Sequence, residues 1–161
     1  MYIVTIDVGL KNLGFLVYDM TSKRVLVWSN ECMVTGKYMP SCNVQYVRAF
    51  VQKWSQYFEN AHKIIVERQM RCNMRIIESV FEAMFYETVM TVAPRSVKVH
   101  FGISKNNYRC NKQAAIEYVS DCKNLEELDL TEVSEALKCK KKDDLADSML
   151  LLLYYLHTYN F

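Results

Sequence analysis

Three observations predict an α/β layered fold with a mixed sheet. Residues 2–8, YIVTIDV, are rich in β-branched residues and apolar on both alternating faces, the pattern of a central strand covered on both sides. GFLVYD and RVLVWS follow, separated by MTSK, and read as a hairpin of two further strands. Beyond them, short apolar strand patterns alternate with helical ones, which adds strands with helical connections to the antiparallel start.

The elements follow in order. VQYVRAFVQKWSQYF carries Val47, Phe50, Val51, Trp54 and Phe58 at helical spacing. KIIVERQ is a short buried strand ending at Glu67. A long helix is expected over 74–88, with Ile77, Phe81, Met84 and Phe85 along one side. VMTVAP reads as the fifth and last strand, stopped by Pro94. Helices are then expected in RSVKVHFG, NKQAAIEYVSDC and the closing DDLADSMLLLLYYLHTY. The polar stretch NLEELDLTEVSEALKCKKK reads as a short surface helix plus loop. No repeat, low-complexity tract or composition break divides residues 1–161, so a single domain is expected.

Composition narrows the class. With 51% hydrophobic and 12% aromatic residues the chain can build a proper core, and nothing reads as disordered. A formal charge of +2 argues neither for nor against nucleic acid. Cys32, Cys42, Cys72, Cys110, Cys122 and Cys139 include no C-x-x-C pair, and His62, His100 and His157 are not spaced as metal ligands. Both facts argue against a structural zinc. The opening MYIVTIDVG lacks the charged head and cleavage site of a secretory signal, so the cysteines are expected to be reduced thiols. The apolar run from Met149 to Leu156 is far shorter than the ~20 residues that cross a bilayer. A soluble, intracellular protein without membrane contact is the expectation.

The carboxylates carry the chemistry. Asp7 and Glu67 each fall at the carboxyl end of a buried strand, the edge where open α/β sheets bind ligands. In KKDDLADSMLL, Asp144 and Asp147 are three apart and Asp143 and Asp147 four apart, so either pair shares a helix face. Leu151 continues that face one turn later, so the stripe points at the sheet. An aspartate at a helix start is ordinarily a cap or a dipole partner. Glu67, directly after Ile64, Ile65 and Val66, does not fit that description, and the set of strand end, strand end and helix entry is harder still to assign to capping. Converging carboxylates require a cation to offset their repulsion. Oxygen donors of this kind select Mg2+, with Mn2+ as a substitute. Two such ions about 4 Å apart clamp the attacking water and leaving oxygen of a phosphodiester.

At this point a resemblance enters. IDVGLKNLG with Asp7, VERQMRCN with Glu67, and KKDDLADSMLL with Asp144 and Asp147 resemble the RuvC-like Holliday junction resolvases, most of all those of poxviruses and fungal mitochondria. The likeness spans nearly the whole chain. It implies an RNase H-like fold, with a mixed five-stranded sheet whose first three strands are antiparallel and the rest parallel, and helices on both faces. It also implies a homodimer, possible through helix 74–88, that makes paired, Mg2+-dependent cuts in four-way DNA junctions. In poxviruses such enzymes resolve replication concatemers in the host cytoplasm. The family's acidic tetrad falls on Asp7, Glu67, Asp144 and Asp147, and its assisting lysines on Lys98 and Lys112. The family spacing favours Asp144 over Asp143; the residues alone leave that choice open.

Charge placement agrees. From Glu67 to Glu78 the charged residues between are Arg68, Arg71 and Arg75. Between Glu87 and Glu117 there is no acid, while Arg95, Lys98, Lys105, Arg109 and Lys112 are present. With Lys11 these form an expected phosphate-binding surface. Tyr108 is expected to pack locally rather than stack on a base. KCKKK at 138–142 reads as a phosphate-facing or solvated loop. The rival readings are another RNase H-like nuclease (acting on RNA–DNA hybrids, or YqgF-like), a non-catalytic branched-DNA binder, and an ATPase of the actin superfamily. The last needs two large domains around a nucleotide, and no nucleotide cofactor is expected.

Overall fold

The computed structural model describes residues 1–138 and 142–159. Its centre is a five-stranded sheet in the order β3-β2-β1-β4-β5. The strands are β1 (Tyr2–Asp7), β2 (Leu13–Asp19), β3 (Arg24–Glu31), β4 (Ala61–Glu67) and β5 (Val89–Val92). β1, β2 and β3 pair antiparallel, whereas β4 joins β1 and β5 joins β4 in parallel. The predicted mixed sheet is therefore observed, strand for strand.

The helices are α1 (Asn43–Lys53), α2 (Ser55–Phe58), α3 (Cys72–Met84), α4 (Pro94–His100), α5 (Tyr108–Ser120) and α6 (Lys142–Tyr159). Alternation along β1 sends successive side chains to opposite faces. Val4 and Ile6 join Phe15, Phe50, Phe58, Ile77 and Phe81 under α1, α2 and α3. Ile3 faces the other way and joins Leu16, Trp28, Ile65 and the apolar body of α6. Every residue of α6 from Leu145 to Leu153 is buried, which accounts for a sequence apolar on all sides. Among the described residues no helix is long and apolar enough to cross a membrane.

Three boundaries differ from expectation. α3 stops at Met84 rather than residue 88, because the chain must turn into β5: the amides of Thr88 and Val89 both donate to the Phe85 carbonyl. α5 begins at Tyr108, earlier than Asn111, because the Asn107 side chain caps it by accepting from the Arg109 amide at 2.7 Å. In place of a surface helix, residues 122–138 form three short 3-10 turns. This segment is tied to the edge strand by Arg24, whose Nε donates to Asp129 at 2.7 Å. Of the basic run at 138–142, residues 139–141, including Cys139, lie outside the described residues.

Candidate active site

β1 and β4 are neighbouring parallel strands with Ile6 beside Val66, so Asp7 and Glu67 leave the same sheet edge side by side. What brings α6 to them is a missing side chain. Gly14 pairs with Asp7 across the β1–β2 ladder. A Cβ at Gly14 would lie 2.2 Å from the Asp144 carbonyl oxygen and 3.3 Å from the Asp7 Cβ. Only glycine lets the first turn of α6 settle against the strand ends. Three hydrogen bonds hold that turn. Thr5 Oγ1 donates to the Ser148 carbonyl at 2.7 Å, while Trp28 Nε1 and Ser148 Oγ donate to the Leu145 carbonyl at 3.0 and 2.8 Å.

The result is a cleft of about 790 Å³ lined by Asp7, Glu67, Asp144 and Asp147 on its floor. Its walls include Lys11, Arg68, Arg71, Arg95, Lys98, Lys105 and Lys112. Asp143 pairs with Lys112, whereas Asp144 lines the cleft. Arg75 and Arg109 are exposed but lie outside the cleft lining.

Electrostatics mark the floor as a place of unbalanced negative charge. Burial first, then Glu67, Asp147 and Asp144, push the Asp7 carboxyl well above the usual range. Burial and then Asp147 carry Glu67 up to about 8, against the pull of Lys98 and Lys112. Lys98 reaches in from α4, with Nζ 2.9 Å from Asp147 Oδ1. Burial disfavours its charge, but Asp147, Glu67 and Asp7 outweigh that and hold the ammonium protonated. All four carboxylates line the same cleft. They do not form a closed cage: among the described residues no group of three or more His, Cys, Asp or Glu side chains is arranged to hold a metal ion. The donor chemistry still fits a hard divalent cation, since every donor is a carboxylate oxygen and repulsion among them is only partly offset by two ammonium groups.

Sequence reasoning missed several contributors. Glu78 on α3 is only 2% exposed, and its carboxylate accepts from the Gln69 amide at 2.8 Å. The Gln69 side chain in turn donates to the Glu67 carbonyl at 3.1 Å, so Glu78 fixes the loop that leaves Glu67. The one available signal was an acid beside Ile77 on the apolar side of a helix. Gly14 had a sequence signal, as the last glycine of GLKNLG, but its purpose depends on α6. Tyr108 departs from expectation: it is 73% exposed in the cleft wall, with Lys112 Nζ 5.2 Å from its ring centroid.

The family model described as "Poxvirus A22 protein" matches residues 1–158. Among solved structures, the fowlpox virus Holliday junction resolvase is 22% identical, with 99% of each chain covered and a TM-score of 0.71. The same resolvase in complex with its substrate Holliday junction DNA gives 21% identity, 99% coverage of each chain and a TM-score of 0.70. The yeast mitochondrial Holliday junction resolvase Ydc2 is 20% identical over 98% of this chain and 83% of that one, at a TM-score of 0.69. RuvC of Thermus thermophilus is 16% identical over 98% and 97% of the two chains, at 0.60. The fold is therefore RuvC-like, within the RNase H-like class. A search of curated sequences returned no match.

Proposed function

The chain belongs to the Poxvirus A22 protein family, and from that premise we propose that it is a divalent-cation-dependent endonuclease that resolves four-way DNA junctions by paired, symmetric nicks. Its task would be to separate viral DNA molecules joined by recombination or replication, in the host cytoplasm. The observation that carries this reading is the convergence of Asp7, Glu67, Asp144 and Asp147 beneath walls of Lys and Arg. A module that only bound DNA would gain nothing from four carboxylates facing phosphates. The solved relatives named as junction resolvases support the substrate class.

Asp7, Glu67 and Asp147 would hold Mg2+, with Asp144 as the fourth ligand or the base for the attacking water. Two ions are expected, and Mn2+ can substitute. Bound there, the cations would supply Lewis-acid activation of the phosphodiester and a nucleophilic water near neutral pH. The protein's own groups do the rest. Lys98, anchored on Asp147, offers a positive charge where negative charge builds on the scissile phosphate. Lys112, braced by Asp143 and the Tyr108 ring, offers a second. Lys11, Arg68, Arg71 and Lys105 hold flanking phosphates by charge and shape, without reading bases. Arg75 and Arg109, outside the cleft, would meet the junction arms.

Two symmetric cuts call for a two-fold dimer. We place its contact on α3, at one residue of the stripe expected from sequence, Met84, together with Ile76. Ile77 and Phe81 are fully buried in the protein's own core. The outward face instead carries Ile76, 50% exposed, and Met84, 39% exposed.

The deciding experiment incubates the protein with a four-way junction, a flap, a linear duplex and an RNA–DNA hybrid, with and without Mg2+. Paired nicks confined to the junction and dependent on the cation are expected. Equal or faster cutting of the hybrid would instead favour a different nuclease of the same fold. Junction binding without cutting would leave only a DNA-binding module.

A further inference from the structure

The histidines have no part in the cleft, and nothing in their sequence spacing joins them. The fold nevertheless brings two of them together. His100 is the last residue of α4, and His157 lies in the final turn of α6. Nε2 of His100 is 3.5 Å from Nδ1 of His157. Two imidazole nitrogens on one tetrahedral transition-metal ion, each bonded at about 2.1 Å, stand about 3.4 Å apart. Both rings, though exposed, also have aromatic neighbours on their inner side. Phe101 meets His100 edge-on with centroids 4.8 Å apart and His157 at 5.5 Å, and Tyr154 meets His100 edge-on at 5.2 Å. Aromatic walls limit ring rotation, so little side-chain freedom remains to be lost on binding. The outer side of the pair is exposed, leaving room for water ligands.

We propose that His100 and His157 form a second cation site, selective for a borderline transition metal such as Zn2+, that staples the end of α4 to the end of α6. The donors set the selectivity. Imidazole nitrogen suits Zn2+, Cu2+ and Ni2+, whereas the carboxylates of the cleft suit Mg2+ and Mn2+. The two sites therefore take different ions. They also share two elements. α4 is joined to α6 through Lys98 and Asp147 at the cleft and through His100 and His157 ten residues further along α6, about 15 Å away. A metal at the outer junction would add a second tie in the last turn of α4, two residues from Lys98, and so hold Lys98 over the carboxylates.

The test titrates Zn2+ into the untagged full chain with Mg2+ in large excess, so that the carboxylate cleft is occupied, and follows Tm. At Zn2+ a hundredfold above half-saturation, a rise of about 5–10 °C is expected. Asp7→Asn should respond like wild type, because the cleft is not involved. His100→Asn and His157→Asn should lose the response while retaining the zinc-free Tm and Mg2+-dependent junction cutting. Electron paramagnetic resonance of Cu2+ added to wild type should show two nitrogen donors, which keeps the proposal testable should a variant fold poorly. No rise in wild type would mean that the imidazoles merely share a hydrogen bond. An undiminished rise in both histidine variants would put the ion at thiols or carboxylates. Either result overturns the proposal, and neither touches the reading of the cleft, which is judged by cutting.

Discussion

Two carboxylates on the cleft floor, Asp7 and Glu67, are held where charge is costly. Both would be more comfortable neutral, because burial, reinforced by the neighbouring carboxylates, disfavours their charge. Sites built for a ligand commonly sacrifice stability in this way. Asp7→Asn should therefore raise the stability of the cation-free protein by about 0.5–2 kcal/mol, a few degrees in Tm for a chain of this size, while removing cleavage. A Tm unchanged or lowered in EDTA would show that the repulsion is already relieved. Asp147→Asn tests the chemistry instead. It should cut cleavage of a four-way junction by about a thousandfold or more and leave junction binding in a gel-shift assay intact. Cutting at wild-type rates with Mg2+ present would refute its assignment as a ligand. Asp144 was separable from Asp143 only in three dimensions: the two are adjacent on the helix, and the partner that draws Asp143 away, Lys112, sits 31 positions earlier on α5.

Among elements, the junction of β2 with α6 matters most. A strand glycine normally weakens a sheet, yet Gly14 sits fully inside β2, where it makes room for the Asp144 backbone. Gly14→Ala should force the first turn of α6 outward, because the clash is with backbone atoms that no rotamer change relieves. We expect a loss of about 1–3 kcal/mol, seen as a lower urea midpoint, and cleavage down about a hundredfold from misplacement of Asp144 and Asp147. A fully active, equally stable variant would mean that the helix has a second seat. α3 shows how periodicity can mislead about partners. Its apolar spacing was legible, but spacing does not say whether a stripe meets the sheet or another chain. Burial assigns Ile77 and Phe81 to the sheet and leaves Ile76 and Met84 outside.

At the scale of the molecule, a near-neutral total charge conceals a segregated one. Arg68, Arg71, Arg95, Lys98, Lys105 and Lys112 line the cleft, while Asp129 and Glu132 of the 3-10 segment beside β3 pair with Arg24. That placement concentrates positive charge along the cleft walls, where it attracts a polyanion. The dimer prediction belongs at this scale. Ile76→Asp combined with Met84→Asp should shift sedimentation at micromolar concentration from dimer to monomer. It should also uncouple the two nicks, so that singly nicked junctions accumulate. A wild-type protein that sediments as a monomer would remove α3 from the argument.

The order of strands and helices, the two buried strands that end in acids and the helix that begins with them were all determined by the sequence, because side-chain period and strand-end position are local properties. So was the family resemblance carried by IDVGLKNLG, VERQMRCN and KKDDLADSMLL. What the sequence left open depended on contacts between distant segments. The tertiary structure set Asp144 in the cleft and Asp143 against Lys112, gave Gly14 its purpose, anchored the Glu67 loop on Glu78 and set His100 beside His157. None of these has a periodic signature, since each depends on how helices stack on the sheet, and helix stacking is fixed by the packing of the whole core rather than by any one stretch of chain.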